Sequence, residues 1–296
     1  MFRKAPGGAA ALAISEPLVA PPREFDFSDD DFRALIKLAY EHAGIALSDS
    51  KRNLVYSRLS RRLRTLKMGS FREYREFLLS EASEIENFIN SISTNHTKFF
   101  REDHHFDHFR ARVAVPFSQS AGQAGGAGLR VWSAGCSSGE EPYTISVVLK
   151  RELRSFTNRD VKILATDIDT EVLNRASRGE FAHNAIDDVP QPYLSFFKHA
   201  SISGKEKVVV DDDVRSIIAF RRLNLMSPWP FRGLFDAIFC RNVMIYFDAP
   251  TKANLIERFA NQIKPGGWLY IGHSESLTGT HPQLRAVGRT IYRRSE

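Results

Sequence analysis

Cysteine is scarce in this chain of 296 residues, which contains only Cys136 and Cys240. Each follows a run of residues typical of a buried strand. A disulfide framework is therefore not supported and a reducing compartment fits better, so we expect a cytoplasmic protein. Long apolar runs are also missing, since none approaches the roughly 18 residues that a membrane-spanning helix needs. The apolar N-terminal stretch is interrupted at residues 15–17 by Ser, Glu and Pro, which argues against a secretory signal.

Positive charge is in excess. The chain has 41 Lys and Arg residues against 35 Asp and Glu residues, giving a net charge of +6 and a pI near 9.3. This balance favours an acidic partner, such as nucleic acid, anionic lipid or an acidic protein surface, without choosing among them. Hydrophobic residues make up 43% of the chain, enough for the core of an ordinary globular protein.

Four regions follow one another along the chain. Residues 1–24 are rich in Ala, Pro and Gly, and we expect a flexible tail. Helical periodicity predicts an all-helical domain over residues 25–95. Residues 96–128 are predicted to be a linker segment, because SQSAGQAGGAG is typical of flexible connectors. Over residues 129–296 short β-rich runs alternate with helical stretches, which predicts a parallel sheet covered by helices; the alternation lapses at about 180–215, where a small β hairpin is expected.

The second predicted helix, SKRNLVYSRLSRRLRTLK, is strongly basic. Its apolar residues recur at helical spacing and predict one buried face, while most of its cations fall on the opposite side. A solvated face is the ordinary interpretation of such a run. The cations that we consider for binding a partner are Lys51, Arg58, Arg61 and Arg62.

The stretch VWSAGCSSGEEPY, residues 131–143, ends a predicted strand with a Gly-rich turn. It fits G-x-S-x-G of serine hydrolases, for which Asp236 and His273 could complete a triad, but no oxyanion segment precedes it. A phosphate loop needs a lysine after its second glycine. Glu140 and Glu141 stand there instead, so a phosphate is excluded.

A positively charged ligand fits this turn better. Gly135 allows close approach of a ligand to the backbone, and a carboxylate beside it attracts an amine or sulfonium; a purely structural turn is the alternative. Asp167 ends the next predicted strand, where acidic residues of nucleotide-binding α/β folds hydrogen-bond ribose. Together the two features indicate S-adenosylmethionine. The nearby HHFDH pattern lacks H-E-x-x-H spacing, so no metal site is expected.

At this point the sequence resembles the CheR-type chemotaxis receptor glutamate methyltransferases. The resemblance covers most of residues 28–295 in family order, and such a set of long, ordered motifs is specific. It is carried by TNHTKFFRE (94–102), VWSAGCSSGEEPY (131–143), ATDIDTEVLNRA (165–176), NLMSPWPF (224–231), FDAIFCRNVMIYF (235–247) and GGWLYIGHSESL (266–277).

The resemblance implies an α/β fold: a class I (Rossmann-like) methyltransferase with a seven-stranded mixed sheet, a small inserted β subdomain and an N-terminal all-α domain. It implies transfer of a methyl group from S-adenosyl-L-methionine to receptor glutamates, leaving S-adenosyl-L-homocysteine. Arg101 and Tyr246 resemble the residues that guide the acceptor carboxylate. The residues resembling cofactor contacts are Asn95, Thr97, Arg101, Gly135, Glu141, Asp167, Asn224, Leu225, Arg241 and Asn242.

The implied partners are the acidic helical-bundle signalling domains of chemoreceptors. We expect the protein to be a monomer that binds no nucleic acid and does not insert into membranes. Two other functions stay open. An RNA methyltransferase would suit the basic charge, although CRNVMIYF stands where base-amine methyltransferases have a [DNS]-P-P-[YFW] motif. A non-catalytic cofactor-binding signalling module is the second, although Arg101 and Tyr246 are retained.

Overall fold

The computed structural model describes residues 23–120, 128–154, 159–277 and 281–296. Nearly all of the expected N-terminal tail therefore lies outside the described residues, as does most of the Gly-rich stretch of the expected linker. Within the described ranges, no helix has both the length and the apolar character needed to cross a membrane.

An all-helical region comes first. It consists of α1 (Asp29–Ala43), α2 (Arg52–Leu66), α3 (Phe71–Ser80) and α4 (Ala82–Ile92). The Ser28 hydroxyl accepts a hydrogen bond from the N–H of Asp31 at the start of α1, and Gly44 ends the helix in the left-handed conformation with φ of 70°. The apolar faces of the helices meet in one core around Leu59 and Phe71.

The described residues also form a seven-stranded sheet, which confirms the predicted fold class. Its strands follow the order β6-β2-β1-β7-β8-β10-β9, parallel except for β10, which runs antiparallel to both neighbours. These are β1 (Leu129–Ala134), β2 (Val161–Asp167), β6 (Ile218–Arg222), β7 (Phe235–Cys240), β8 (Ile263–Ile271), β9 (Leu284–Gly288) and β10 (Ile291–Arg294). The main covering helices are α7 (Glu140–Leu153), α8 (Thr170–Arg178) and α10 (Ala249–Gln262).

A second, three-stranded antiparallel sheet is inserted before β6, as expected. It consists of β3 (Glu180–Ala182), β4 (Phe197–Ile202) and β5 (Lys205–Val210), in the order β3-β5-β4, and is followed by α9 (Asp212–Arg215). Ser203 and Gly204 both have positive φ between β4 and β5, which is the conformation of a tight two-residue hairpin turn.

The structure corrects the interpretation of residues 96–128 as a linker segment. Residues 104–119 are helical, comprising α5 (His104–Phe109), a π-helical turn over Arg110–Ala114 and α6 (Val115–Gln119). Phe106 and Phe109 pack on Phe239 of β7 with ring centroids 5.8 and 5.5 Å apart. Because these side chains belong to the core of the sheet, the segment folds with it.

The order of the strands places a crevice beside the predicted ligand turn. The chain leaves β1 for β2 on one side, whereas β7 pairs with β1 on the other side. In open α/β sheets, ligands bind outside the carboxyl ends of the strands where the order reverses in this way. The turn between β1 and α7 stands at that position.

Candidate active site

A cavity of about 510 Å³ lies between the helical region and the carboxyl ends of the strands. Its wall includes nine of the ten predicted cofactor contacts together with Tyr246 and Lys51. The nine are Asn95, Thr97, Arg101, Gly135, Glu141, Asp167, Leu225, Arg241 and Asn242. Segments far apart in the chain therefore converge on one site.

The β1–α7 turn forms the floor of this cavity. Gly135 has φ of 83°, and a Cβ atom built there would lie 2.3 Å from Cγ2 of Val243. A side chain at this position would therefore collide with Val243, so glycine lets the turn and the loop after β7 lie this close together. The N–H of Ser137 donates to Asp167 at 2.8 Å, which joins the turn to the end of β2.

Glu141 lies in the first turn of α7 and is buried. Its carboxylate accepts hydrogen bonds from the Ser133 hydroxyl at 2.7 Å and from Nη1 of Arg241 at 2.9 Å. Burial raises the pKa of Glu141, and the interactions with Arg241 and Ser133 offset only part of that rise. Glu141 therefore retains a capacity to interact with a further positive group.

Asp167 ends β2 and is also buried. Besides Ser137, its carboxylate accepts the N–H of Asp169 at 3.0 Å. Burial raises the pKa of Asp167 to about 6, against the lowering effect of these backbone hydrogen bonds. With a third backbone donor, the N–H of Ile168, the carboxylate still has acceptor capacity for hydrogen bonds from ligand hydroxyls.

The segment after α4 closes one side of the cavity. Nδ2 of Asn95 donates to Asp169 at 2.6 Å, and Nη1 of Arg101 donates to the carbonyl of His96 at 2.7 Å. From the opposite wall, the Tyr246 hydroxyl donates to the carbonyl of Thr94 at 3.3 Å. The two residues predicted to guide an acceptor thus lie on walls that meet at the same cavity.

Asn224 lies elsewhere than the family resemblance implied. Its Nδ2 donates to the carbonyl of His42 at 2.6 Å, and its Oδ1 accepts the N–H of Met226 at 2.9 Å. Its side chain therefore ties the loop after β6 to the end of α1, while Leu223 and Leu225 line the cavity. Leu223 was missed because an apolar residue beside the motif carries no chemical signal.

The basic face of α2 is also not what the sequence indicated. Arg58 donates to the carbonyls of Ile92 and Ser93 at 2.6 Å each, and so caps the end of α4. Arg62 forms a two-pronged ion pair with Glu84, with contacts of 2.7 and 2.6 Å. Both guanidinium groups are therefore engaged inside the helical region. Their partners lie more than 20 residues away in the chain, so helical periodicity alone does not reveal them.

Lys51 and Arg61 remain exposed on α2 and the turn before it. Among the described residues neither forms an ion pair within 4.0 Å. Lys51 also lines the cavity, and Arg61 lies close enough to Arg58 to lower its pKa, although burial contributes more to that shift. These two cations are the members of the predicted set that can meet a partner.

Glu275 is a site residue that the sequence analysis missed. Its buried carboxylate accepts N–H groups from Gly272 at 2.7 Å, Asn242 at 2.8 Å and Ile245 at 2.9 Å. It therefore holds the loop that carries Asn242 and Tyr246 against the end of β8. The GHSES motif contained this residue, but only the fold shows which N–H groups it meets.

The serine hydrolase interpretation does not fit the geometry. The Ser137 hydroxyl donates to the carbonyl of Asn95 and the Ser138 hydroxyl to Glu140, so neither is paired with a histidine. Asp236 is near the amino end of β7, where it pairs with Lys264 at 2.8 Å, at the opposite edge of the sheet from the turn. Among the described residues, these serines are therefore not paired with a base.

Comparison with known families agrees with this geometry. The model described as "CheR methyltransferase, all-alpha domain" matches residues 30–93, and the model described as "CheR methyltransferase, SAM binding domain" matches residues 95–293. The fold and site define an S-adenosylmethionine-binding methyltransferase. The chain belongs to the CheR methyltransferase family, and its cofactor is S-adenosyl-L-methionine.

Curated relatives agree over most of their length. The chain is 42% identical over 272 residues to chemotaxis protein methyltransferase 2 of Pseudomonas aeruginosa, covering 91% of this chain and 95% of the relative. It is 41% identical over 258 residues to the chemotaxis protein methyltransferase of Borreliella burgdorferi, covering 86% and 90%. It is 40% identical over 273 residues to that of Escherichia coli, covering 90% and 91%.

Proposed function

We propose that this protein methylates glutamate side chains of chemoreceptor signalling domains and produces glutamyl methyl esters. The observation that carries the proposal is the convergence of Arg101, Tyr246, Glu141 and Asp167 on one cavity. Family membership supports the cofactor and the link to chemotaxis. The glutamate acceptor is supported by the chemistry of the cavity wall, since the names of the relatives state methylation in chemotaxis and no acceptor residue.

The residues present fit the cofactor. Gly135 presents backbone without a side chain on the cavity wall, Glu141 offers a carboxylate to an amino group, and Asp167 offers acceptors to ribose hydroxyls. Leu225 supplies an apolar wall suited to adenine. When bound, the cofactor supplies a methyl group on a positively charged sulfur.

The acceptor side of the cavity needs no strong base. A glutamate side chain has an ordinary pKa of roughly 4.3 and is already ionised at neutral pH. One carboxylate oxygen of the acceptor forms the bond to the methyl carbon as the carbon–sulfur bond breaks, and the electron pair goes to sulfur without release of a proton. The contribution of the protein is therefore alignment and exclusion of water.

Arg101 is suited to position the acceptor. A guanidinium group can hold a carboxylate through a forked pair of hydrogen bonds. Within the part of the chain that the structure describes, one nitrogen of Arg101 is engaged, with the carbonyl of His96. Tyr246 presents its hydroxyl from the facing loop, where it can orient the same carboxylate. Arg101 acts by placing one oxygen for attack and leaving it nucleophilic.

The acceptor domain is proposed to dock along α2. Lys51 at the cavity and exposed Arg61 are ten positions apart, which corresponds to about 15 Å along a helix. An acidic helical bundle of the receptor can span that distance, and opposite charges favour its encounter with this face. Arg58 and Arg62 are omitted from the docking surface because their partners lie within the protein.

The test is incubation with methyl-labelled S-adenosylmethionine and purified receptor signalling domains. We expect label on the receptor that mild base releases as methanol. Arg101→Ala should lower the rate by about two orders of magnitude, since positioning of the acceptor is lost. Arg112→Ala, which removes an exposed cation from the π-helical turn, is the matched control and should label at the wild-type rate.

Absence of base-labile label from the wild-type protein, under conditions where it binds the cofactor, would contradict the proposal. Structured RNA would then be tested as the acceptor. Cofactor binding without transfer to either acceptor would favour a non-catalytic signalling module.

A further inference from the structure

Arg241 sits between two carboxylates. Its side chain is only 3% exposed, with Nη1 2.9 Å from Glu141 and Nη2 3.4 Å from Oε2 of Glu102. Its guanidinium also donates to the backbone carbonyl of Arg101. The single positive charge of Arg241 is therefore shared between Glu141, on the wall of the cofactor cavity, and Glu102, behind that wall.

Glu102 is held in place from several directions. Its Oε1 accepts the N–H of His273 at 3.1 Å and lies 3.4 Å from Nδ2 of Asn242. Its Oε2 lies 3.5 Å from Nδ1 of His105. The side chain is 15% exposed, so its charge is largely withdrawn from water.

The backbone at Glu102 adds to this picture. Its φ is 56° and that of Phe100 is 51°, so the residues on both sides of Arg101 adopt the left-handed conformation. Side chains other than glycine rarely occupy this region, and such strain persists only where surrounding contacts hold it. For Glu102, the contacts with Arg241, Asn242 and His273 hold the backbone in this conformation.

No other cation neutralises this cluster among the described residues that contact it. His105 is fully buried and its pKa is lowered to about 3, chiefly by burial and then by the charge of Arg241. It is therefore neutral at physiological pH. Two carboxylates facing one guanidinium leave a net charge of about −1 beside the cavity, by a simple formal count.

The charge of Glu102 reaches Glu141. After burial, which is the main cause, the negative charge of Glu102 is one of the influences that keep the pKa of Glu141 raised. A buried carboxylate whose charge is incompletely compensated is stabilised by a cation that binds from outside the protein. The amino group at the methionine end of the cofactor is such a cation.

We propose that Glu102 is a positioning residue for the amino-acid end of the cofactor, acting by sharing Arg241 with Glu141 and so leaving Glu141 able to bind an ammonium group. The inference rests on the role of Glu141 in the proposed function. Without the charge of Glu102, Arg241 interacts with Glu141 as its one carboxylate partner in this cluster, and the attraction of Glu141 for a second cation falls.

Calorimetric titration with two ligands tests this role. S-adenosylhomocysteine carries the amino-acid end, whereas 5′-deoxy-5′-methylthioadenosine has the same adenosine and thioether without it. Glu102→Gln is expected to weaken binding of the first ligand about tenfold and to leave binding of the second unchanged. Asp107→Asn, which removes an exposed negative charge from α5, is the matched control and should change neither affinity.

A second variant separates this role from a merely structural one. Glu102→Gly removes the carboxylate but suits the left-handed backbone, so it should fold and show the same selective loss. Equal weakening of both ligands, or unchanged binding of S-adenosylhomocysteine in the folded variants, would overturn the proposal. The titration needs no methyl acceptor, so failure of the wild-type protein to methylate receptors would leave its outcome intact.

Discussion

Two pairs of carboxylates have little exposed surface in this protein but carry opposite pKa shifts. Asp31 and Glu84 in the helical region, and Glu141 and Asp167 at the carboxyl ends of the strands, are all exposed by between 3% and 9%. Burial raises the pKa of all four, yet the first pair ends below its ordinary values and the second pair above them. The second pair lies deeper inside the protein, so burial disfavours its charged form more, and its partners offset less of that effect.

Glu84 shows what full compensation requires. It accepts two hydrogen bonds from Arg62, one from Tyr74 at 3.0 Å and one from Asn87 at 3.0 Å. Among the described residues, the donors to Asp167 are backbone N–H groups, whose dipoles are weaker than a guanidinium charge. A carboxylate satisfied within the chain stabilises the fold, whereas one left partly satisfied at a cavity keeps its capacity for a ligand.

The largest effect should come from breaking the compensated pair. Arg62→Ala leaves Glu84 buried without its cation, and we expect a loss of about 2–3 kcal/mol in the free energy of unfolding, discounted because Arg62 is partly exposed. Denaturant unfolding measures this loss. Arg64→Ala, which removes the exposed partner of Glu24 on the same helix, is the control and should leave the midpoint unchanged.

The next effect should appear in ligand affinity. Glu141→Gln removes the charge proposed to bind the ammonium group, and we expect affinity for S-adenosylhomocysteine to fall about 100-fold. The unfolding midpoint without ligand should change far less than in Arg62→Ala, because deep burial penalises the charge of Glu141 and Arg241 still pairs with Glu102. A Glu141→Gln variant that lost stability as Arg62→Ala does, but kept its affinity for S-adenosylhomocysteine, would contradict this difference between the two pairs of carboxylates.

The pH dependence of binding should give a smaller effect. Asp167 has a pKa of about 6, so it is ionised at pH 7.5 and mostly protonated at pH 5. If ribose hydroxyls donate to the ionised form, affinity for 5′-deoxy-5′-methylthioadenosine falls about tenfold between these pH values. Asp167→Asn should bind this ligand weakly at both pH values. A steep change of affinity with pH in that variant would assign the titration to another group.

The smallest effect is expected on the exposed cations of α2. Lys51→Glu and Arg61→Glu should each lower kcat/KM for receptor methylation about fivefold at low salt, and less at high salt, because the docking surface loses its attraction. Arg72→Glu on α3 is the control for a charge reversal away from this face. Equal losses in all three variants would remove α2 as the docking surface.

Local patterns in the sequence predicted the helical domain, the helix-covered sheet and the ligand turn, while the number of strands followed from the family resemblance. Gly135 and Glu141 lie within seven residues of each other, and Asp167 was identified as the end of a strand. Each rests on short-range rules about strands, turns and helix starts. These rules hold here because the site is built at the carboxyl ends of neighbouring parallel strands.

The remaining features depend on contacts across the fold. Arg58 and Arg62 looked like free surface cations because helical periodicity shows the side of a helix but not what packs there. Glu102 and Glu275 lie inside recognised motifs, but these motifs do not show their contacts. Glu102 pairs with Arg241, and Glu275 accepts the N–H groups of Asn242 and Ile245, all at least 30 residues away in the chain. The helix within residues 104–119 was hidden by the Gly-rich stretch that follows it.

The most direct test of the whole account is the chemical identity of the methylated product. Receptor signalling domains treated with the protein and S-adenosylmethionine would be analysed by tandem mass spectrometry before and after mild base. We expect a gain of one methylene mass on glutamate residues that base removes. A base-stable gain on another side chain, or an unmodified receptor alongside methylated RNA, would contradict esterification of glutamate.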